Sequence, residues 1–246
     1  MRQLKGKTKE TSKQKKERKK EFVENKQRVF SVVLPTLAAI AALIAAYVYI
    51  KTPKGTKYVT CGSVLKLLNT DYKVRLHSHD IKYGTGSGQQ SVTGTEAKED
   101  GNSHWLIKAE TGKECGRGKP IKCGDVIRLE HVATRKNLHS HHVSSPLSSK
   151  QEVSAYGDSR GEGDSGDHWV VVCDSDFWER DDSVMFQHVD TDTYLSVTGR
   201  QYGSPIVGQI EVAGEYSPYN AQWKAMEGFF IHPSDFKSQH YEHTEL

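Results

Sequence analysis

The chain has 246 residues, of which 34 are Lys or Arg and 31 are Asp or Glu, and its charge is unevenly distributed. Twelve basic residues and four Glu lie within residues 1–28, whereas the rest of the chain carries 22 basic and 27 acidic side chains. A mildly acidic body is poorly suited to a nucleic-acid backbone, so the charge balance excludes nucleic acid as the expected partner.

The N-terminal 50 residues predict a membrane segment. Residues 1–28 are expected to be a basic, disordered cytosolic arm, and residues 29–50 contain no charged side chain. A helix of that length, at about 1.5 Å per residue, spans a bilayer core. Only Lys51, Lys54 and Lys57 follow closely, so the positive-inside rule predicts a cytosolic N-terminus and a lumenal body.

The membrane segment has two interpretations. The 28-residue basic region is long for a signal peptide, and the apolar run ends in bulky side chains, both of which favour an uncleaved signal anchor. The alternative is a cleaved signal peptide, for which Ala39-Ile40-Ala41 offers a small-x-small sequence.

Residues 51–57 are predicted to be a linker, and residues 58–234 contain three degenerate repeats of roughly 55–60 residues. The motif Leu-His-Ser-His occurs at 76–79 and again at 138–141, and Gln-x-Val at 90–92 and 151–153, with Gln209 as the expected counterpart in the third repeat. The other shared positions are Leu76, Leu138 and Leu195; Trp105, Trp169 and Trp223; and the repeat openings Cys61-Gly62 and Cys123-Gly124.

Within each repeat the apolar residues alternate in short runs separated by Gly, Asn, Asp and Ser, a pattern typical of strands and turns. About four strands per repeat give about twelve in all. Closure into one barrel-like body removes exposed strand edges. The sequence therefore predicts an all-β domain, a β-trefoil with a pseudo-threefold axis, preceded by one hydrophobic helix.

Four cysteines, all in the body, suit an oxidising compartment. Equivalent positions in equivalent repeats should lie at equivalent distances, which predicts the disulfides Cys61–Cys115 and Cys123–Cys173. The cysteine spacing does not fit a zinc site. Residues 235–246 are expected to be a flexible tail.

The tail ends in His243-Thr244-Glu245-Leu246. This ending is similar to the Lys/His-Asp-Glu-Leu retrieval signal, with Thr in place of Asp, and predicts binding to a retrieval receptor of the endoplasmic reticulum.

The repeated motifs, together with Tyr219-Asn220 and residues 223–228, closely resemble those of the stromal cell-derived factor 2 family of MIR-domain proteins. The resemblance covers about 175 residues, from 58 to 234, but not the first 28. It implies a β-trefoil in the endoplasmic reticulum lumen. It also implies partnership with a J-domain co-chaperone and the lumenal 70-kDa chaperone, in quality control of unfolded or O-mannosylated clients.

Two groups of residues are candidates for a binding surface. His77 and His79 share one face of a strand, as do His139 and His141. They either form hydrogen bonds with backbone carbonyls or ligate a metal, and we expect no metal site. The pair Phe177 and Trp178 lies in an acidic linker between repeats, either in the core or at a contact rim.

No nucleotide-binding, dinucleotide-binding, metalloprotease or esterase motif occurs in the sequence, so we expect neither an enzyme nor a cofactor. The favoured function is a lumenal chaperone-complex adaptor, by resemblance. The alternative is a carbohydrate-binding, lectin-like trefoil or an accessory to protein O-mannosylation. An exposed apolar groove would favour the adaptor, and an aromatic platform beside Asp or Asn would favour the lectin.

Overall fold

The computed structural model describes residues 11–51 and 57–232, and the chain divides into two units, Met1–Lys54 and Gly55–Leu246. In the first unit, helix α1 spans Ser12–Arg28, a π-helical turn spans Val29–Val33 and helix α2 spans Leu34–Lys51. The expectation of a disordered arm is therefore wrong for residues 12–28.

Local interactions explain why the charged segment is helical. Thr11 caps α1 in a capping box: its hydroxyl accepts from the backbone N–H of Gln14, and the Gln14 side chain accepts from the N–H of Thr11. Lys, Glu, Gln and Arg, which dominate this segment, are good helix formers. The prediction of disorder was based on the high charge of this segment, and high charge does not prevent a capped helix from forming.

The apolar stretch continues the helix. Pro35 follows the π-helical turn directly, and because Pro has no N–H, one hydrogen bond of the helical ladder is missing at this point. The Thr36 hydroxyl donates to the carbonyl of Val32 at 2.9 Å and supplies a local donor. Residues 12–44 include a helix long and apolar enough to cross a membrane, a criterion that N-terminal signal sequences also satisfy.

Within residues 57–232, the described part of the second unit, there are twelve strands, four per repeat, as the sequence predicts. Repeat 1 contains β1 Val64–Asn69, β2 Arg75–Lys82, β3 Gln90–Thr95 and β4 Trp105–Ala109. Repeat 2 contains β5 Val126–His131, β6 Lys136–Ser144, β7 Gln151–Tyr156 and β8 Trp169–Val172. Repeat 3 contains β9 Ser183–His188, β10 Tyr194–Gln201, β11 Ile210–Glu215 and β12 Trp223–Phe229.

Strand pairing closes the sheet on itself. Strands β1, β4, β5, β8, β9 and β12 pair in a ring, and β12 returns to β1, which gives a six-stranded antiparallel barrel. The three hairpins β2–β3, β6–β7 and β10–β11 meet through the pairs β3–β7, β7–β11 and β11–β3. A barrel with three hairpins arranged around one axis is a β-trefoil.

The register within the hairpins defines equivalent positions. Leu76 pairs with Gly94, Leu138 with Ala155 and Leu195 with Gly214. The same register places Ile210, rather than Gln209, opposite the end of β10, where repeats 1 and 2 have Gln90 and Gln151. The sequence alignment of repeat 3 was wrong by one residue at this strand, because its second half retains few of the repeated residues.

Each of the first two repeats has one disulfide, which joins the start of the repeat to its end. Cys61 is bonded to Cys115 and Cys123 to Cys173, at sequence separations of 54 and 50 residues. These are the pairs that the sequence predicts. The shared Leu and Trp positions are all fully buried and belong to one core cluster.

Candidate functional site

The first histidine pair is part of a short polar chain in repeat 1. His77 Nδ1 lies 2.6 Å from Asp100 Oδ2, and His77 Nε2 lies 2.7 Å from His79 Nδ1. Asp100 also accepts a hydrogen bond from the Ser103 hydroxyl, and His79 Nε2 is 3.5 Å from the hydroxyl of Ser91. This chain of hydrogen bonds runs from Asp100, at the start of the 3₁₀ turn Gly101–Ser103, along β2 toward β3. His77 is buried and His79 is half-buried.

The second pair builds the corresponding chain in repeat 2, with different ends. His139 Nδ1 lies 3.0 Å from Asp167 Oδ1, and His139 Nε2 lies 3.2 Å from His141 Nδ1. His141 Nε2 is in turn 3.2 Å from Glu152 Oε1. Asp167 also accepts from Asn137 Nδ2 at 2.9 Å, and both Asp167 and Glu152 are fully buried. The chain of repeat 2 thus has a carboxylate at each end.

Repeat 3 lacks this arrangement, because Ser196 and Thr198 occupy the two histidine positions of β10. The Thr198 hydroxyl donates to Glu211 Oε2 at 2.9 Å. Each histidine pair forms its contacts with carboxylates or side chains of β2–β3 or β6–β7 and their turns, and not with backbone carbonyls as the simpler interpretation of the sequence expected.

Electrostatics distinguish the members of the first chain. Burial lowers the pKa of His79, and the neighbouring His77 ring lowers it further. Burial raises the pKa of Asp100, but hydrogen bonds from Ser103 and His77 outweigh it, so the pKa of this carboxyl is below its usual value. Asp100 is therefore an ionised anchor that orients the His77 ring.

Two buried glutamates that sequence reasoning missed connect neighbouring repeats. Glu152 in β7 accepts from the backbone N–H of Ser87 at 3.2 Å, in the loop of repeat 1. Glu211 in β11 accepts from the N–H groups of Leu147 and Ser148 at 2.8 and 3.2 Å, in the loop of repeat 2. Each glutamate is the second residue of its strand. Their equivalent position in the aligned repeats is the sequence feature that could have indicated a shared role.

The linker aromatics do not form a common rim. Trp178 is fully buried in the core cluster and packs edge-on against Phe186, with ring centroids 5.4 Å apart. Its assignment to a binding surface is therefore wrong. Phe177 is half-buried and lies against the ring of Tyr58 at 5.2 Å. Alternation along an extended segment places the two neighbouring side chains on opposite faces.

A more exposed aromatic pair lies on the loop between β11 and β12. Tyr216 and Tyr219 are 75% and 79% exposed. Tyr216 lines a cleft of about 510 Å³ between this loop and the β6–β7 connection, together with the polar side chains of Gln151, Lys150 and Glu215. The last two form an ion pair at 3.4 Å. The cleft combines an accessible ring with hydrogen-bonding and charged groups.

The retrieval sequence His243-Thr244-Glu245-Leu246 lies outside the described residues. The linker at residues 52–56 does as well.

Comparison with known proteins finds a matching family model for each part of the chain. The MIR domain model matches residues 66–198, and a model of a domain of unknown function, DUF4519, matches residues 1–54. Bovine stromal cell-derived factor 2-like protein 1 is 62% identical over 178 residues, which are 72% of this chain and 80% of the relative.

Solved structures agree with the fold. The SDF2-like protein from Arabidopsis thaliana is 42% identical with a TM-score of 0.69, over 71% of this chain and 98% of that chain. The Pmt1–Pmt2 protein O-mannosyltransferase complex of S. cerevisiae is 25% identical with a TM-score of 0.61, over 76% of this chain and 29% of that chain. The Arabidopsis chain is matched over nearly its whole length, so its trefoil folds without a counterpart of the N-terminal helices. The chain belongs to the stromal cell-derived factor 2 family of MIR-domain proteins.

Proposed function

We propose that the trefoil is a binding module of the endoplasmic reticulum lumen that acts as an adaptor in chaperone complexes. Its partners on this proposal are a J-domain co-chaperone, the lumenal 70-kDa chaperone and unfolded or O-mannosylated client proteins. Family membership supports the class of function. The hydrophobic N-terminal helix and the two disulfides indicate the secretory pathway.

The exposed tyrosines carry the proposal for where clients bind. An exposed ring on a loop held by a closed barrel offers a large contact area at a small cost in conformational entropy. Tyr216 and Tyr219 meet this description, and Tyr216 lines a cleft whose polar groups can hydrogen-bond an extended chain. The histidine chains are mostly buried and serve to hold the hairpins rather than to contact a client.

The test uses the trefoil fragment, residues 55–246, and a reduced, aggregating client. We expect the fragment to slow aggregation without nucleotide and more strongly with a J-domain partner. Replacing both rings (Tyr216→Ser with Tyr219→Ser) should abolish the effect at an unchanged melting temperature. Val207→Ser is the matched control, because Val207 is 75% exposed on another loop of the same repeat. Full activity in the double variant, or none in the wild type, would reject the proposal.

A lectin-like function is the second candidate, favoured by the composition of the same cleft. Carbohydrate sites commonly combine an aromatic face with polar side chains, and Tyr216, Gln151, Lys150 and Glu215 provide both. The similarity to the MIR portion of a protein O-mannosyltransferase complex points to mannose-containing ligands. Retention on mannan beads, lost in Tyr216→Ser, would favour the lectin; retention of folding co-chaperones alone would favour the adaptor.

For topology, we propose an uncleaved type II signal anchor with a lumenal trefoil, returned to the endoplasmic reticulum by residues 243–246. The uninterrupted helical segment Ser12–Lys51 and the eight basic residues within α1 support it. The protein should then resist carbonate extraction and keep its N-terminal helix accessible to cytosolic protease. A mature N-terminus between residues 41 and 60 would instead identify a cleaved signal peptide.

A further inference from the structure

The histidine chain of repeat 2 has one proton too few. Its three contacts run from Asp167 to His139, from His139 to His141 and from His141 to Glu152, at 3.0, 3.2 and 3.2 Å. Ionised carboxylates only accept hydrogen bonds, and a neutral imidazole carries one proton. Two neutral imidazoles therefore supply two protons for three hydrogen bonds, and the chain needs one further positive species.

The corresponding chain in repeat 1 has no such deficit. It begins on the Asp100 carboxylate but ends 3.5 Å from the hydroxyl of Ser91, which donates to the carbonyl of Ile81. Two protons satisfy its two short contacts, between Asp100 and His77 and between His77 and His79. The difference arises because Glu152 in β7 occupies the position of Ser91 in β3.

A second carboxylate converges on the same nitrogen in repeat 2. Asp164 Oδ1 lies 3.5 Å from His139 Nδ1, beside Asp167 Oδ1 at 3.0 Å, and the three atoms lie within 4.8 Å of one another. A tetrahedral zinc site with bonds of about 2.0–2.1 Å places neighbouring ligand atoms about 3.3–3.4 Å apart. Two of the three separations therefore match such a site to within a few tenths of an ångström.

Burial and local backbone favour a bound cation here. Asp167 is fully buried, and the ionisable side chain paired with it among the described residues is His139; a buried charge requires a cationic or metal partner. Asp164 is exposed and opens the cluster to solvent, which provides an entry path and a water ligand. A Cβ on Gly163 would overlap the Asp167 carboxylate, and a Cβ on Gly166 would overlap the His139 ring. Glycine at these two positions therefore allows the loop to pack closely against both side chains.

We propose that His139 Nδ1, Asp164 and Asp167 bind one Zn²⁺ ion, with water as the fourth ligand. The metal replaces the missing proton at His139 Nδ1. His139 Nε2–H then donates to His141 Nδ1, and His141 Nε2–H donates to Glu152, so every contact in the chain is satisfied. Such a carboxylate-backed second imidazole orients a zinc-bound histidine and strengthens its binding. Ser103 replaces Asp167 in repeat 1, and Ser196 replaces the histidine in repeat 3, which restricts the site to repeat 2.

Zinc titration of the tag-free trefoil fragment by calorimetry tests the site. We expect one Zn²⁺ per chain and a tetrahedral visible spectrum when Co²⁺ replaces Zn²⁺. Asp164→Asn, at an exposed position that tolerates the change, should weaken binding at least about tenfold. Asp167→Ser, which reproduces the residue of repeat 1, should abolish it. Asp100→Asn in repeat 1 is the matched control and should bind as the wild type does.

Three outcomes would overturn the proposal. One is the absence of binding heat at about 100 µM Zn²⁺, a concentration well above that needed by an ordinary structural site. Another is equal affinity in the wild type, Asp164→Asn and Asp167→Ser, which would place the metal elsewhere. The third is a melting temperature that rises on acidification but not with Zn²⁺, which would assign the missing positive charge to a proton.

Discussion

The indole Nε1 of Trp105 donates a hydrogen bond to the backbone carbonyl of Leu76 at 2.9 Å. The same bond joins Trp169 to Leu138 at 2.9 Å and Trp223 to Leu195 at 2.8 Å. Each links the last strand of a repeat to the hairpin of that repeat inside the core. This bond gives a physical reason why both residues recur: the Trp fills the barrel and also satisfies a buried hairpin carbonyl.

Trp169→Phe should therefore destabilise the trefoil. An aromatic ring is kept, although it is smaller, and the carbonyl of Leu138 loses its donor, which by itself costs about 1–3 kcal/mol in the free energy of unfolding. We expect a matching fall in the urea midpoint. Trp178→Phe is the control, because Trp178 is equally buried but its Nε1 has no acceptor within the described part of the chain. Equal losses in the two variants would contradict the role of the hydrogen bond.

The disulfides should stabilise the first two repeats independently. Each closes a loop of 50 or 54 residues, which in the chain-entropy model contributes about 3–4 kcal/mol to the free energy of unfolding. Removing Cys123 and Cys173 together, as Ser, should lower stability by about that amount. Peptide mapping without reduction should recover Cys61 with Cys115 and Cys123 with Cys173; a crossed pair would contradict the assignment.

Residues that recur at a fixed spacing were predictable, and residues that act in only one repeat were not. The trefoil, its twelve strands and the cysteine pairs follow from the recurrence of Leu, Trp and Cys. Asp164 recurs as Asp100, but Asp167 is not repeated, because Ser103 occupies its position in repeat 1, and no local pattern indicates that this loop folds onto β6. Trp178 was ambiguous, because a single aromatic residue in a polar linker has no periodicity to show which side is buried.

His131 illustrates how burial affects stability at acid pH. It is the last residue of β5; its Nε2 is 2.9 Å from the carbonyl of Asn102, and its Nδ1 is 2.8 Å from the Thr134 hydroxyl. These contacts fit a neutral ring that donates from Nε2 and accepts at Nδ1. Burial lowers the pKa of His131 to about 4. The unfolded chain, with a pKa near about 6.5, therefore binds a proton first as pH falls.

The contribution of His131 should be complete above about pH 6.5 and be lost as pH falls toward 4, by about 3 kcal/mol in total. His131→Asn is the natural test, because Asn69 occupies the equivalent last position of β1 in repeat 1. Urea unfolding between pH 7 and pH 4 should show a shallower loss of stability in the variant than in the wild type. Parallel curves would instead mean that the pKa of His131 is the same in the folded and unfolded states.

Variants of Trp178 and its neighbour Phe177 test whether each side chain belongs to the core or to a binding surface. The backbone N–H of Trp178 donates to the carbonyl of Ile121 and the carbonyl of Trp178 accepts from the N–H of Val59, both at 2.9 Å, so the extended segment that carries Trp178 is fixed against its neighbours. Trp178→Ala should cost about 3–5 kcal/mol in the free energy of unfolding, since it leaves a large cavity next to Phe186. Phe177→Ala, at a half-buried neighbour, should cost distinctly less. Thermal unfolding of both variants measures the difference, and a Trp178→Ala variant that melts like the wild type but no longer binds clients would restore this residue to the binding surface.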